Sequence, residues 1–270
     1  MQKEINIGDI KVGGKPFILI GGPCVIEGRD ITLRIAEKLS ELTEKLHIPF
    51  IFKSSYDKAN RTSIHSYRGQ GLEEGLKILS EVKEKLGILV LTDVHSVKEA
   101  DKAAQVVDVL QVPALLSRQT DLLVACGKTG KAVNIKKGQF LSPYDIKYVI
   151  EKVESTGNTQ ILITERGTCF GYNNLVNDFR AIPIMKGFGY PVIFDATHSV
   201  QKPGAMFGHS GGETEFVFPL VKAAVAAGVD GIFMEVHEDP SKALCDRENT
   251  VPLDDLPYIL KTLKRIEEVL

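Results

Sequence analysis

Cysteine is scarce in this chain of 270 residues: there are four, at positions 24, 126, 169 and 245, and none stands in CxxC spacing. A disulfide framework is therefore not indicated, and reduced thiols are the expected state. Long apolar runs are missing too. No stretch approaches the roughly 20 residues that span a bilayer, and the opening Met1-Gln2-Lys3-Glu4 lacks the apolar core of a secretory signal. A cytoplasmic location without a membrane partner is expected. Charge of one sign is also absent, with 33 Lys+Arg against 35 Asp+Glu and a net charge of −2. No basic tract or stripe marks a nucleic-acid partner. Gly21-Gly22-Pro23 and Gly211-Gly212 do not form a GxGxxG fingerprint, so no nucleotide cofactor is indicated. No low-complexity or Pro/Gly/Ser-rich linker divides the chain, and residues 1–270 read as one domain.

What the chain does contain is repetition. Eight short apolar runs recur at 17–20, 50–52, 88–91, 106–112, 132–135, 161–163, 191–194 and 231–234. They are nearly continuous rather than alternating, as expected of parallel strands buried on both faces. Between them lie segments of helical periodicity, among them 31–46, 72–86, 144–153, 215–227 and 253–270. Regular alternation of strand and helix over this length predicts an α/β fold, a closed TIM (β/α)8 barrel. Residues 5–15 alternate around glycines and predict a short N-terminal β-hairpin, within 1–16, capping the bottom of the barrel.

In such barrels the active site forms at the carboxyl ends of the strands. Here those ends carry Cys24, Lys53, Asp93 with His95, Gln111, Lys136 with Lys137, Glu165 with Arg166, Asp195 with His198, and Glu235 with His237. Lys53, Arg61, Lys137 and Arg166 on one mouth would repel one another unless an anionic ligand neutralised them, and phosphate or carboxylate suits Arg and Lys donors. The plainer alternative is that each pairs with a rim carboxylate such as Asp93, Glu165 or Asp195. Segment 201–212 lacks periodicity and reads as a mobile loop over the mouth.

Cys24, His198, Glu235 and Asp246 form a second constellation. A thiolate, an imidazole and two carboxylates suit a borderline divalent ion such as zinc, iron(II), manganese or cobalt. Their wide spacing is no motif, and spacing alone favours a core cysteine and a structural histidine.

A set of linked motifs changes that balance. Gly22-Pro23-Cys24-Val25-Ile26-Glu27, Lys58-Ala59-Asn60-Arg61-Thr62-Ser63, Arg118-Gln119-Thr120-Asp121-Leu122, Asn134-Ile135-Lys136-Lys137-Gly138-Gln139-Phe140, Thr164-Glu165-Arg166-Gly167 and Asp195-Ala196-Thr197-His198-Ser199-Val200 stand in order along the chain. From residue 20 onward the sequence resembles the 3-deoxy-D-manno-octulosonate 8-phosphate synthases. These condense phosphoenolpyruvate with arabinose 5-phosphate. Lys58-Ala59-Asn60-Arg61 differs from the Lys-Pro-Arg-Thr of the sister synthases that use erythrose 4-phosphate.

The resemblance implies that Lys53, Gln111, Lys137 and Arg166 grip phosphoenolpyruvate, and that Asn60, Arg61, Thr62 and Ser63 hold the pentose phosphate. It further implies that Lys137, His198 and Asp246 act in catalysis and that Cys24, His198, Glu235 and Asp246 hold a divalent metal. A homotetramer and a place in lipopolysaccharide biosynthesis are implied as well. A non-catalytic sugar-phosphate-binding barrel is the alternative from another class. Around Asp246 the chain reads Ala243-Leu244-Cys245-Asp246-Arg247-Glu248-Asn249. Cys245 there joins the Cys-Asp of metal-independent relatives to the Cys24 of metal-dependent ones.

Overall fold

The computed structural model describes residues 3–206 and 209–270. Its centre is a closed barrel of eight parallel strands: Ile18–Gly22, Phe50–Lys53, Leu89–Asp93, Val109–Val112, Ala132–Lys136, Ile161–Glu165, Val192–Asp195 and Gly231–His237. Each pairs with the next in sequence, and the eighth closes the ring by pairing with both the seventh and the first. These strands are buried almost throughout, which is why their sequences run apolar without alternation. The (β/α)8 expectation holds.

Eight helices surround the ring: α1 (Arg29–Leu46), α2 (Leu72–Leu86), α3 (Val97–Ala104), α4 (Thr120–Lys128), α5 (Ile146–Glu154), α6 (Ala181–Lys186), α7 (Val217–Ala226) and α8 (Leu256–Glu268). Their inward stripes follow helical spacing. In α1 the buried positions are Thr32, Ile35, Ala36, Leu39 and Thr43, and in α8 they are Leu256, Ile259, Leu260 and Leu263, the i, i+3, i+4, i+7 pattern of a helix lying on a core.

Some boundaries move for identifiable reasons. The apolar run at 106–112 yields a strand only from Val109, because the N–H groups of Val106 and Val107 both donate to Ala103 O and finish the turn that ends α3. The eighth strand runs on to His237 because Val251–Pro252 pairs alongside it. Segment 201–212 is not an irregular loop. Its described residues form an antiparallel hairpin, Gln201–Met206 with His209–Gly212, while 207 and 208 lie outside the described residues.

The N-terminal hairpin is present as Ile5–Ile7 and Ile10–Val12. Ile5, Ile7 and Val12 are buried. Gly8 lies against Leu89 and Gly13 against Pro191, at the starts of the third and seventh strands, so the hairpin sits beneath the barrel. At that end the Phe17 N–H also donates to the Glu267 carboxylate at 2.6 Å.

One glycine sets the first strand against the second. A Cβ on Gly22 would stand 2.0 Å from Lys53 O, a backbone atom that cannot swing away. Gly22→Ala is therefore expected to destabilise the fold by about 1–3 kcal/mol and to disturb the neighbouring Lys53 and Cys24. Denaturant unfolding of the variant against the parent measures this.

Candidate functional site

Strand parity decides what enters the mouth, since alternate residues of a strand point to opposite sides. On the fifth strand Asn134 and Lys136 share the inward side, and on the sixth Thr164 does, with Arg166 following just past the strand's end. A polar ladder crosses the interior below them. Thr164 Oγ1 donates to Asn134 Oδ1 at 2.7 Å, Asn134 Nδ2 to Gln111 Oε1 at 2.8 Å, and Gln111 Nε2 to Asp93 Oδ1. Both polar atoms of Gln111 are thereby engaged within the floor of the site.

Above this floor lies a cavity whose lining includes Lys58, Asn60, Arg61, Thr62, Asp93, Lys136, Arg166, His198 and Asp246. Its cations are mostly balanced by carboxylates. Lys53 Nζ donates to Glu235 Oε1 and to Cys24 O, each at 2.8 Å. Lys58 Nζ is 3.5 Å from the same Glu235 oxygen and 3.9 Å from Asp93. Lys136 Nζ donates to Asp195 Oδ2 at 2.6 Å and sits 3.6 Å from the centre of the Phe233 ring. Arg61 Nη1 donates to Asp246 Oδ1 at 3.1 Å. The plainer alternative, pairing with rim carboxylates, thus accounts for these four. Arg166 differs. It is buried, its Nη2 donates to Gln201 Oε1 at 2.9 Å, and its Nη1 has no hydrogen-bond partner among the described residues.

Lys137 does not face this cavity, contrary to the role expected of it. It falls on the outward parity, where its Nζ is 3.0 Å from Thr168 Oγ1, 3.3 Å from Leu141 O and 3.6 Å from Glu165 Oε1. The inward lysine is Lys136. Ser63 is likewise absent from the cavity lining; its hydroxyl accepts the His65 N–H at 3.2 Å within its own turn, and Ser66 lines the cavity instead. Lys58 and Gln201 enter the site in addition to the strand-end residues Asp93, Lys136 and Asp195, which had been given no role there. Lys58, unlike Gln201, could have been found by the Lys58-Ala59-Asn60-Arg61 motif.

The four proposed metal donors fall in two groups that share Asp246: His198, Glu235 and Asp246 form one, and Cys24 meets Asp246 beside Cys245 in the other. His198 Nε2 is 3.6 Å from Glu235 Oε2 and 3.8 Å from Asp246 Oδ2, and Cys24 Sγ is 3.3 Å from Asp246 Oδ2. His198 Nδ1 lies 2.8 Å from Asp195 Oδ2, off the line of a well-formed hydrogen bond. Asp246 has a left-handed backbone, φ 45°, a conformation that Asp tolerates better than most residues and that recurs at functional sites. Glu235 Oε2 is buried without a hydrogen-bond partner, so the pocket presents an unused carboxylate oxygen beside an imidazole and the Asp246 carboxylate. That chemistry fits a borderline divalent ion.

The expectation that all four cysteines stand as separate reduced thiols is corrected. Cys24 and Cys245, with Cα atoms 6.1 Å apart, are paired as a disulfide, whereas Cys126 and Cys169 are free. Residues 221 apart in sequence leave no local spacing from which to read this. The guanidinium of Arg61 also contacts the Cys245 sulfur.

Charge states follow from this packing. Burial opposes the charges of Glu235, Asp93 and Asp195, but the surrounding lysines and His198 outweigh it and hold all three carboxyls below their usual range. Burial also opposes the charge of Lys53, yet Glu235 and Asp93 raise it overall. Burial and the neighbouring Lys53 bring Lys58 down to about 8. The outward pair is pushed toward neutrality, with burial lowering Lys137 and raising Glu165.

A closed parallel barrel with a buried, cation-rich mouth is the architecture of an enzyme that handles small anions. Residues 2–270 match the profile of the DAHP synthetase I family. The chain is similar to proteins named 2-dehydro-3-deoxyphosphooctonate aldolase: 60% identical to that of Trichlorobacter lovleyi and 59% to that of Geotalea daltonii, each over 100% of this chain and 99% of the relative. The chain belongs to the DAHP synthetase I family.

Lys58 generates a pH dependence. Raising the pH through about 8 removes its proton and one positive charge from the cavity. In the metal-free protein, inorganic phosphate should bind more weakly across that step, and Lys58→Met should flatten it. Titration calorimetry over a pH series measures both.

Proposed function

We propose that this protein, as one barrel domain, condenses phosphoenolpyruvate with D-arabinose 5-phosphate and water to give 3-deoxy-D-manno-octulosonate 8-phosphate and inorganic phosphate. The observation that carries this reading is Arg166, a buried guanidinium that lines the mouth and whose Nη1 has no hydrogen-bond partner among the described residues, while the other cations there meet carboxylates. An unpaired buried cation is costly, and a phosphate or carboxylate of substrate relieves it. The names and coverage of the relatives support the same substrates.

In the reaction, C3 of phosphoenolpyruvate bonds to the pentose aldehyde carbon while water adds at C2. The resulting hemiketal phosphate loses inorganic phosphate by breaking its C–O bond. Arg166, Lys136 and Lys53 orient the enol phosphate and its carboxylate, and Gln111 acts from the floor by holding Asp93 and Asn134. Asn60, Arg61 and Thr62 hold the pentose phosphate at the outer rim. Lys58, poised near neutrality, gives a proton to the alkoxide formed from the aldehyde. Asp246, whose Oδ2 lies 3.8 Å from His198 Nε2, takes a proton from the attacking water through a carboxylate oxygen. Lys137 supports this constellation from behind through Glu165 rather than by touching substrate.

Cys24, His198, Glu235 and Asp246 would hold a divalent metal, whether zinc, iron(II), manganese or cobalt, and such an ion would orient the aldehyde or lower the pKa of water. Ligation by Cys24 requires the reduced form of its pair with Cys245.

No helix among the described residues is long and apolar enough to cross a membrane. Cytoplasmic residence and supply of lipopolysaccharide assembly accompany the synthase reading. So does a homotetramer, for which exposed Phe140, Phe170 and Tyr172 offer apolar surface; light scattering that returned a monomer would overturn it.

The deciding assay is phosphate release from phosphoenolpyruvate with arabinose 5-phosphate or erythrose 4-phosphate, under reductant, before and after chelation with single metals restored. Release with the pentose alone is expected, lost on chelation and recovered with metal. Release with neither aldose would refute the synthase, and indifference to the chelator would refute the metal. Lys136→Met should lose at least about 100-fold in kcat/KM, on the order of 3 kcal/mol of transition-state binding. Lys137→Met should instead chiefly cost stability, about 1–3 kcal/mol, by removing the cation beside the buried Glu165 carboxylate. Thermal melts alongside the assay separate the two.

A further inference from the structure

Glu27 lies outside the cavity and touches no other residue assigned above, yet it is partly buried and its carboxylate joins three separate segments. Its Oε1 accepts the Leu244 N–H at 2.8 Å. Its Oε2 stands 3.4 Å from His237 Nε2. His237 is itself buried, and its Nδ1 accepts the Asp239 N–H at 3.0 Å. An imidazole nitrogen that accepts a backbone N–H carries no proton, so the ring proton sits on Nε2, which has Glu27 nearby but makes no well-formed hydrogen bond to it. No lysine or arginine lies within 4 Å of the Glu27 carboxylate among the described residues, so it is not part of a surface ion pair.

Each of the three segments carries one of the proposed donors. Cys24 lies three residues before Glu27, Glu235 two before His237, and Asp246 two after Leu244. The first two segments leave neighbouring barrel strands and are held by the sheet. The third is a loop, and it presents Asp246 in a left-handed conformation with the Asn249 and Thr250 N–H groups curled onto its carbonyl. Its backbone is tied to the first-strand segment through the Leu244 N–H. The far side of this loop is anchored by Val251–Pro252 on the eighth strand and Asp246 itself meets Arg61, while on the near side, once Cys24 and Cys245 are reduced, the Glu27 carboxylate ties the loop to the first-strand segment.

We infer that Glu27 is a positioning residue which, through the Leu244 N–H, holds Asp246 in register with Cys24 and Glu235 so that the four donors can close on a divalent ion. This rests on the metal reading above. Groups that orient ligands in this way are typically worth about 10–100-fold in metal affinity.

The test is zinc affinity of the reduced full-length protein, by competition with a chromophoric chelator, in the parent and in Glu27→Asp, Glu27→Gln and Glu27→Ala. Glu27→Asp keeps the charge but is one methylene too short to reach the Leu244 N–H, and Glu27→Gln keeps the length and an acceptor for it. Glu27→Asp and Glu27→Ala should bind zinc at least about ten-fold more weakly, and Glu27→Gln should recover most of the loss. Binding of inorganic phosphate to the metal-free proteins and their melting temperatures should stay near parental values, which a general structural role would not allow. Parental zinc affinity in Glu27→Asp, or in Glu27→Ala, overturns the inference. A parent that takes up no zinc instead refutes the metal reading itself, and this assignment with it.

Discussion

Glu235 is the charge on which the mouth of the barrel is balanced. It is buried at the end of the eighth strand, where a lone carboxylate would be too costly to keep ionised. Its Oε1 is shared by Lys53 and Lys58, and its Oε2 faces His198. Removing it would leave two buried ammonium groups against each other. Around this pairing the remaining charges fall into place, with Lys136 on Asp195, Arg61 on Asp246, and Asp93 within reach of Lys58. Lys53, Lys58, Lys136, Arg61 and Arg166 are five cations, and Glu235, Asp93, Asp195 and Asp246 are four carboxylates. One positive charge is left over, and it sits on Arg166, the cation with an unpartnered nitrogen. That excess of one cation favours an anionic ligand at the mouth, in line with the proposed substrates.

Much of the architecture was legible because parallel strands have no solvent face to disguise them. Eight apolar runs became the eight strands of the ring, and their polar ends became the mouth. What was illegible depended on hydrogen bonds between segments. The run at 106–112 looks uniform as a sequence, yet its first two residues belong to the turn that ends α3. The segment 201–212 has no alternation to betray strands, because its glycines and Pro203 carry little patterning, and pairing of Gln201 with Gly212 and Lys202 with Gly211 makes it a hairpin.

The site was legible as a list of strand ends but not as a set of directions. Lys136 and Lys137 stand side by side and look interchangeable in sequence. The pleat separates them: Lys136 shares the inward side with Asn134, whose amide is fixed in the interior ladder, and Lys137 is turned to the other side with Glu165. Once Asn134 is known to point inward, the assignment of both lysines follows from parity alone. The same parity turns Thr164 inward and Glu165 outward, with Arg166 following just past the strand's end. Composition gave no hint of this, because both lysines are buried and both are paired.

The donor cluster was the least legible part, for a reason that also bears on its chemistry. Cys24, His198, Glu235 and Asp246 come from four segments, and only Glu235 lies within a barrel strand. The other three depend on loops whose shape is set by side chains such as Glu27 and Asp195 that are not donors themselves. A spacing motif arises when one helix or turn carries two ligands, and nothing of the kind occurs here. The same loop-borne construction lets Cys24 face two different partners, the carboxylate of Asp246 and the sulfur of Cys245. A thiol cannot serve both at once. Whether the cluster can offer four donors therefore depends on the oxidation state of one pair of sulfurs, while the anion-binding mouth, built on Lys53, Lys136 and Arg166, does not.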